Sequence, residues 1–296
     1  MHRIIPTDRD MDLLACLWRW KLLSTAALTE RYFADRSPIT AYTRLWHLRT
    51  ASYIQLISDS GGRRYAWCLA QKGFAAIQSQ LPELLEFGFK SENVEHDHLV
   101  SAVHLGDWLR QNPRGAELFT EQELRRYHLD HYPDWVPRTS EHRPDGYWRV
   151  LRNGKFITIA LEVEINRKRD RFYQQLAHFY ERHPQVDRVL WVVTSQLFAE
   201  SVSRLLQKEI DARAVIHNFA LRKDFEKNGW NASIAIGAEQ GKPLSFLLDH
   251  TPQTSSIPVW TRFLLDTRKC PHKSKGYQSL RTACFSDRHV LPPKIT

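Results

Sequence analysis

The sequence predicts an α/β (α+β) protein in which a small helical domain with a β-hairpin precedes a larger mixed sheet. The first observation is a pair of strand-like segments, 147–151 and 156–165, joined through Asn153-Gly154. Asn-Gly between such segments is the strongest short-range hairpin signal. The second observation is the unbroken apolar segment 189–193, which is typical of a parallel strand covered on both faces. The third is a series of short amphipathic helices near the N-terminus.

The size and charge of the chain narrow its class. With 296 residues it is long enough for two domains with sizeable cores. Its formal net charge is +9 and its pI is near 9.4, so nucleic acid is the first partner expected. No segment has the apolar length of a transmembrane helix, and the N-terminus lacks the features of a signal peptide. We therefore expect a cytoplasmic protein without a membrane partner, with Cys16 and Cys68 as reduced core thiols.

The N-terminal part predicts three helices followed by a strand, a basic glycine turn and a second strand. The helices are expected at residues 8–21, 23–33 and 38–51, with caps at Thr7 or Asp8, Ser24 or Thr25, and Ser37. The strands are expected at 53–57 and 65–69, and a further helix at 71–81.

Three helices followed by a basic hairpin are the order of a winged helix-turn-helix domain, which we predict for residues 7–85. In such a domain the third helix enters the major groove of DNA, and the hairpin contacts the backbone or the minor groove. The expected DNA-binding residues are Thr40, Arg44, His47 and Arg49 on the third helix and Arg63 and Arg64 on the hairpin. A role in dimerisation or protein docking remains an open alternative, since winged helices serve those purposes as well.

A second, α/β domain is predicted for residues 95–250, after a connection at about 82–95. Its expected helices are 95–111, 167–183 and 195–211, and its expected strands are 116–125, the hairpin above, 188–194 and 214–220, with a second hairpin at 231–249. Residues 251–296 are rich in Pro, Ser, Thr, Lys and Arg and predict a basic, flexible tail.

Three acidic residues are expected to meet at one corner of the sheet. In the segment 156–165 the odd positions are apolar, so Glu162 and Glu164 share the other face, opposite the core. The hairpin can bring Asp145 beside them. Carboxylate oxygens suit Mg²⁺, and a nearby lysine such as Lys168 can orient a nucleophile or offset charge. The alternative left open is a solvated acidic strand face with a carboxylate–arginine network.

The Arg-Pro-Asp of residues 143–145 followed by the Glu-Val-Glu of residues 162–164 resembles the PD-(D/E)xK nuclease-like superfamily. It looks most like the replication-relaxation (mobilisation) proteins of bacterial plasmids and integrative elements. That resemblance also includes residues 120–125, Lys168 and a preceding winged helix, and the family often has a histidine where His96 stands. Glu164 occupies the position where the superfamily usually has lysine, so Lys168 is expected to act as a displaced lysine.

The resemblance implies a DNA-binding protein for DNA processing on a mobile genetic element, as a mobilisation or replication accessory with a magnesium-dependent endonuclease site. The implied catalytic residues are Asp145, Glu162, Glu164 and Lys168, and the implied ligands of Mg²⁺ or Mn²⁺ are Asp145 and Glu162. The implied partners are double-stranded DNA and a relaxase or replication protein, and a homodimer is left open. The alternative, from another class, is a transcriptional regulator whose nuclease-like domain is inactive and only dimerises.

Overall fold

The computed structural model describes residues 4–58, 65–110, 115–209 and 216–248. These residues belong to one compact unit that combines helices with two sheets, which confirms the α/β class. The hairpin turn with Arg63 and Arg64 and the tail at 251–296 lie outside the described residues, so the predictions made for them stay predictions. Within the described part of the chain, every helix is too short or too polar to cross a lipid bilayer.

Three helices open the chain: α1 (Asp8–Trp20), α2 (Thr25–Tyr32) and α3 (Pro38–Thr50). Each begins where the sequence offers a capping side chain. Thr7, Ser24 and Ser37 accept backbone N–H groups of the first turns, and Thr7 forms a capping box with Asp10. The predicted caps at Ser24 and Ser37 are thereby confirmed.

A small antiparallel sheet completes this N-terminal part. Its strands are β1 (Leu22–Leu23), β2 (Ile54–Ser58) and β3 (Tyr65–Leu69), in the order β1-β3-β2, and α4 (Gln71–Ile77) follows. We call residues 4–58 and 65–77 the head. The predicted second helix began too early, because Leu22 and Leu23 pair with β3 and are buried. Lys21 ends α1 with a φ of 61°, which turns the chain into β1.

The larger sheet has six strands in sequence order. They are β4 (Glu117–Thr120), β5 (Gly146–Arg152), β6 (Lys155–Glu164), β7 (Arg188–Val193), β8 (Ile216–Leu221) and β9 (Ile234–Gly237). β6, β7 and β8 run parallel to one another, and the other neighbours are antiparallel. The Asn-Gly hairpin and the parallel strand β7 are confirmed.

Helices cover both faces of this sheet. The remaining helices are α5 (Val94–Leu105), α6 (Glu121–Arg126), α7 (Asp170–Arg182), α8 (Gln196–Glu209) and α9 (Arg222–Asn228). Side chains of α7 and α8 form one core with the face of β6 that carries Ala160. The opposite face, with Ile159 and Leu161, shares a second core with α5 and the head. The six-stranded sheet therefore separates two cores.

Several predicted elements differ from the structure for local reasons. The strand at 116–125 ends at Thr120, because Thr120 and Glu123 form a capping box that starts α6. The helix at 95–111 ends at Leu105, since Gly106 has a φ of 32° and Trp230 fills the space beside it. Of the hairpin at 231–249, the structure shows a short antiparallel pairing in which Ser233 bridges to Pro243 and Ile234 donates to the carbonyl of Lys242, while β9 also pairs with β8. The helix α9 had not been predicted.

The head and the larger sheet are packed against each other. One hydrophobic core includes Trp18 of the head, Leu99 of α5 and Ile159 of β6. The indole N–H of Trp18 also donates to the carbonyl of Gly88, 3.2 Å away, in the connection between the two parts. The predicted division into domains at 7–85 and 95–250 stays a prediction, and these contacts join its two halves.

Candidate functional site

The three predicted carboxylates converge where β5 begins and β6 ends; we call Asp145, Glu162 and Glu164 the acidic corner. Asp145 precedes β5, and its Oδ2 accepts the backbone N–H of Val163 at 2.6 Å. Its own N–H donates to the carbonyl of Leu161 at 2.9 Å. The Asp145 carboxyl therefore lies against the strand that carries both glutamates, as the hairpin predicted.

The alternation along the strand predicted Glu162 and Glu164 on a face opposite the core, and this prediction was wrong because that face is also buried. Glu162 and Glu164 are each only 4% exposed. They lie on the same sheet face as Ala160, which packs in a hydrophobic core with side chains of α7 and α8. The sequence pattern showed which positions share a face, but it did not show that α7 and α8 cover that face. A solvated acidic strand face is therefore excluded for these two side chains.

Glu162 forms the most enclosed contact of the corner. Its Oε1 accepts the Nε2–H of His142 at 2.6 Å and also accepts the hydroxyl of Tyr180. Burial alone would raise the pKa of Glu162, but the charge and hydrogen bond of His142 outweigh it and lower that pKa. Burial would likewise lower the pKa of His142, and Glu162 raises it. The two side chains thus form a largely buried pair in which each favours the charged form of the other.

Glu164 is bound by the predicted lysine. The Nζ of Lys168 lies 2.8 Å from Oε1 of Glu164, and half of the lysine side chain remains exposed. Burial raises the pKa of Glu164 to about 7, although Lys168 acts in the opposite direction. The protonation of Glu164 therefore changes near neutral pH.

His96 joins Asp145 to a second charged group. Its Nε2 lies 3.1 Å from the carbonyl oxygen of Val163 and 3.4 Å from Oδ1 of Asp145, while its Nδ1 lies 3.5 Å from Oδ1 of Asp97. Burial alone would lower the pKa of His96, but the two carboxylates raise it to about 10. Burial raises the pKa of Asp145 itself. His96, which the resemblance singled out, therefore lies beside the acidic corner.

The second charged group includes a lysine from the head that had not been predicted. Nζ of Lys21 lies 3.1 Å from Asp97 and 2.6 Å from Glu121, and all three residues are buried. Nε of Arg125 lies 2.7 Å from the other oxygen of Glu121. The Thr120–Glu123 capping box could have placed Glu121 at a helix start. No local signal connects it to Lys21, one hundred residues earlier.

His104 is a second residue that the sequence did not single out. Its Nε2–H donates to the carbonyl of Asp145 at 2.8 Å, and its Nδ1 accepts the indole N–H of Trp148 at 2.7 Å. Burial lowers the pKa of His104 to about 3, so the ring is neutral with a fixed tautomer. A Cβ at Gly146 would collide with this ring. His104 and Gly146 therefore fix the backbone that carries the Asp145 carboxyl.

The corner does not fit a divalent metal ion as its side chains are placed. Asp145 is engaged by Val163 and His96, Glu162 by His142 and Tyr180, and Glu164 by Lys168. Across the described residues, no three or more His, Cys, Asp or Glu side chains are arranged to hold a metal. Mg²⁺ or Mn²⁺ at Asp145 and Glu162 stays a prediction, and no catalytic step follows from this geometry.

The predicted DNA-binding residues of α3 fall into two groups. Thr40 and His47 are exposed. Arg44 instead forms an ion pair with the fully buried Asp10, to which its Nε donates at 3.0 Å. Arg49 lies with its guanidinium carbon 4.5 Å from the ring centre of Trp46. Arg44, expected to bind DNA, is thus paired with Asp10 within the head, a contact across 34 residues that sequence patterns do not reveal.

Burial alone would raise the pKa of Asp10, but Arg44 and the Thr7 cap outweigh it and lower that pKa.

Comparisons of the chain with protein-family models, with curated proteins and with solved structures found no match.

Proposed function

We propose that this chain is a double-stranded DNA-binding protein whose head presents α3 to the major groove. The support is the order of elements in the head, in which three helices precede the antiparallel strands β2 and β3. This order is that of a winged helix-turn-helix domain, whose third helix lies in the major groove. The resemblance at residues 143–145 and 162–164 supports a role in DNA processing on a mobile genetic element.

The observation that carries the proposal is the charge of the α3 surface. None of the thirteen residues of α3 is acidic, and its basic residues are His47, Arg49 and Arg44, the last of which is paired with Asp10. From Arg36 to Lys72 the sequence contains a single acid, Asp59, against five arginines and one lysine. Basic residues on such a surface attract the phosphate backbone, and few carboxylates are present to repel it. This charge supports nucleic acid over a basic or neutral protein partner.

Binding of a fluorescent duplex of random sequence to the full chain tests this proposal. We expect an affinity that falls steeply as salt rises, because bound phosphates release condensed counterions. His47→Ala should weaken binding, since this exposed side chain lies on α3. Leu197→Ala is the matched control, because Leu197 is 78% exposed on α8. Absence of duplex binding at low salt would contradict the proposal.

Metal-dependent cleavage of DNA is a second candidate function. Its specific support is the convergence of three carboxylates with Lys168, and the in-chain partners of those carboxylates oppose it. Incubation of supercoiled and branched DNA with the full chain and Mg²⁺ or Mn²⁺ tests it. Cleavage that Glu162→Gln abolishes, with DNA binding retained, would establish an endonuclease. Binding without cleavage would leave an accessory protein whose acidic corner is structural.

A transcriptional regulator with an inactive nuclease-like domain would use the same head. Footprinting of the full chain distinguishes the two roles, because a regulator should protect one palindromic operator, whereas a processing accessory need not. A relaxase or replication protein stays the proposed protein partner of an accessory.

A further inference from the structure

The outward face of α3 has an unusual composition for a helix that contacts base pairs. Its exposed side chains are Pro38, Ile39, Thr40, Thr43, Trp46, His47 and Thr50, and its buried ones are Ala41, Leu45 and Leu48. The exposed set contains methyl-bearing and hydroxyl side chains. It contains no Lys, Asn, Gln, Asp or Glu.

The two arginines of α3 do not change this composition near the start of the helix. Arg44 is bound to Asp10 through two guanidinium nitrogens. Arg49 lies in the last turn, against Trp46. Bases are contacted mainly from the first turns of a recognition helix. Those turns therefore offer Ile39, Thr40 and Thr43, without a free arginine for guanine or a free amide for adenine.

The chemistry of the major groove connects these side chains to one base. Guanine is recognised by bidentate Arg or Lys, and adenine by bidentate Asn or Gln. Thymine alone presents an apolar group there, its 5-methyl, which packs against apolar side chains and threonine methyls. The hydroxyl of Thr40 is held by that of Ser37, 3.0 Å away, close to the start of the helix. Ile39 and Thr43 remain as exposed contacts.

We propose that α3 recognises duplex DNA through thymine 5-methyl groups, which Ile39 and Thr43 contact in the major groove. This inference rests on the proposed duplex binding and names its substrate class, A·T-containing sites with thymine under the first turns of α3. Guanine contacts by arginine are not part of this recognition. The basic residues of the head supply the affinity for phosphate that every sequence shares.

Selection from a randomised duplex library with the full chain gives the preferred site. Each thymine of that site is then replaced by uracil, which removes the methyl group and leaves the Watson–Crick edge intact. We expect a loss of affinity of roughly threefold to fivefold at each contacted thymine, the effect of about one buried methyl group. Replacement of thymines outside the contacted positions should have no effect.

Two variants assign the effect to α3. Thr43→Ser keeps the hydroxyl but lacks the methyl, and Ile39→Ala shortens an exposed side chain that is 43% accessible. Each should reduce the difference between thymine and uracil at one position of the site. Leu197→Ala on α8 should preserve the full difference. Both α3 positions are exposed, so the variants should fold.

The outcomes separate this inference from the function on which it rests. A chain that binds no duplex DNA overturns the proposed function. A chain that binds duplex DNA but selects guanine under α3, or binds thymine and uracil duplexes equally, overturns the methyl contact alone. The same holds if Ile39→Ala changes the oligomeric state and leaves DNA affinity intact, because the face would then be an interface between copies.

Discussion

The polar side chains of the α3 surface and those of the acidic corner differ in their exposure to solvent. On α3 the outward side chains Thr43, His47 and Thr50 are exposed to solvent. In the acidic corner Asp145, Glu162 and Glu164 are buried, and each has a partner within the chain. Contacts satisfied inside the fold contribute to stability, whereas exposed groups are available to a partner.

This difference predicts that substitutions in the two regions affect different properties, stability in one and DNA affinity in the other. Substitutions of buried charged residues should lower the free energy of unfolding and leave the DNA affinity of the folded protein unchanged. Substitutions on the exposed face of α3 should do the opposite. Each variant below is therefore measured twice, by denaturant unfolding and by duplex binding.

The largest effect is expected for Lys21→Met. This change leaves Asp97 and Glu121 buried without the ammonium group that both contact. Removal of one partner of a buried ion pair costs about 3–5 kcal/mol. Arg36→Met is the matched control, because Arg36 pairs with Asp35 where both side chains are more than half exposed. Equal losses of stability for the two variants would contradict the buried cluster.

Arg44→Ala should lower stability by about 1–3 kcal/mol, the range for a hydrogen bond to a charged group that is left unmade. The cause is Asp10, which is fully buried and loses its cation. The double variant with Asp10→Asn should recover part of that loss. The sequence alone predicted Arg44 as a DNA contact. A large loss of DNA affinity with unchanged stability would restore that role and contradict the assignment of Arg44 to the stability of the head.

The pH dependence of stability isolates His104. The unfolded chain protonates this histidine below its ordinary pKa of 6.5, whereas the folded chain protonates it only near pH 3. The contribution of His104 to the free energy of unfolding is thus fully present above pH 6.5 and is lost as the pH falls from 6.5 to about 3. Between pH 7 and pH 5 the loss is about 2 kcal/mol, at about 1.4 kcal/mol for each pH unit below 6.5.

His104→Phe removes this proton-binding group, although it also leaves the indole N–H of Trp148 without its acceptor. The variant should therefore cost more stability at pH 7 than at pH 5 when both proteins are unfolded by denaturant. An equal cost at the two pH values would mean that folding does not lower the pKa of His104.

The smallest effect is expected for Arg49→Ala. Loss of a phosphate contact should reduce the slope of log affinity against log salt by about one. Stability should fall by only about 0.5 kcal/mol, because the stacking on Trp46 occurs at a partly exposed site. An unchanged salt slope would show that this guanidinium does not contact phosphate.

The parts of the fold that the sequence predicted depend on neighbours in the chain. The caps at Ser24 and Ser37 act on N–H groups three residues later, and Asn153-Gly154 specifies its own turn. The contact between Lys168 and Glu164 spans only four residues. Such features are specified by local spacing, so they can be predicted without a fold.

The parts that were missed depend on residues far apart in the sequence. Lys21 meets Glu121, Arg44 meets Asp10 and His104 meets the carbonyl of Asp145 only after the head and the sheet have packed. The burial of Glu162 is of the same kind, because α7 provides the cover. Alternation along a strand shows which residues share a face, but the neighbour of that face comes from elsewhere in the chain.

The shared core of the head and the sheet has a consequence for how such a protein can change through recombination. Trp18 stacks on Tyr127 at 5.6 Å between ring centres, and Arg19 donates to Glu123 at 3.0 Å. A crossover near residue 85 would join a foreign head to a surface shaped for these side chains. If the head binds DNA as proposed, new specificity should therefore arise more readily by substitution on α3 than by exchange of whole heads.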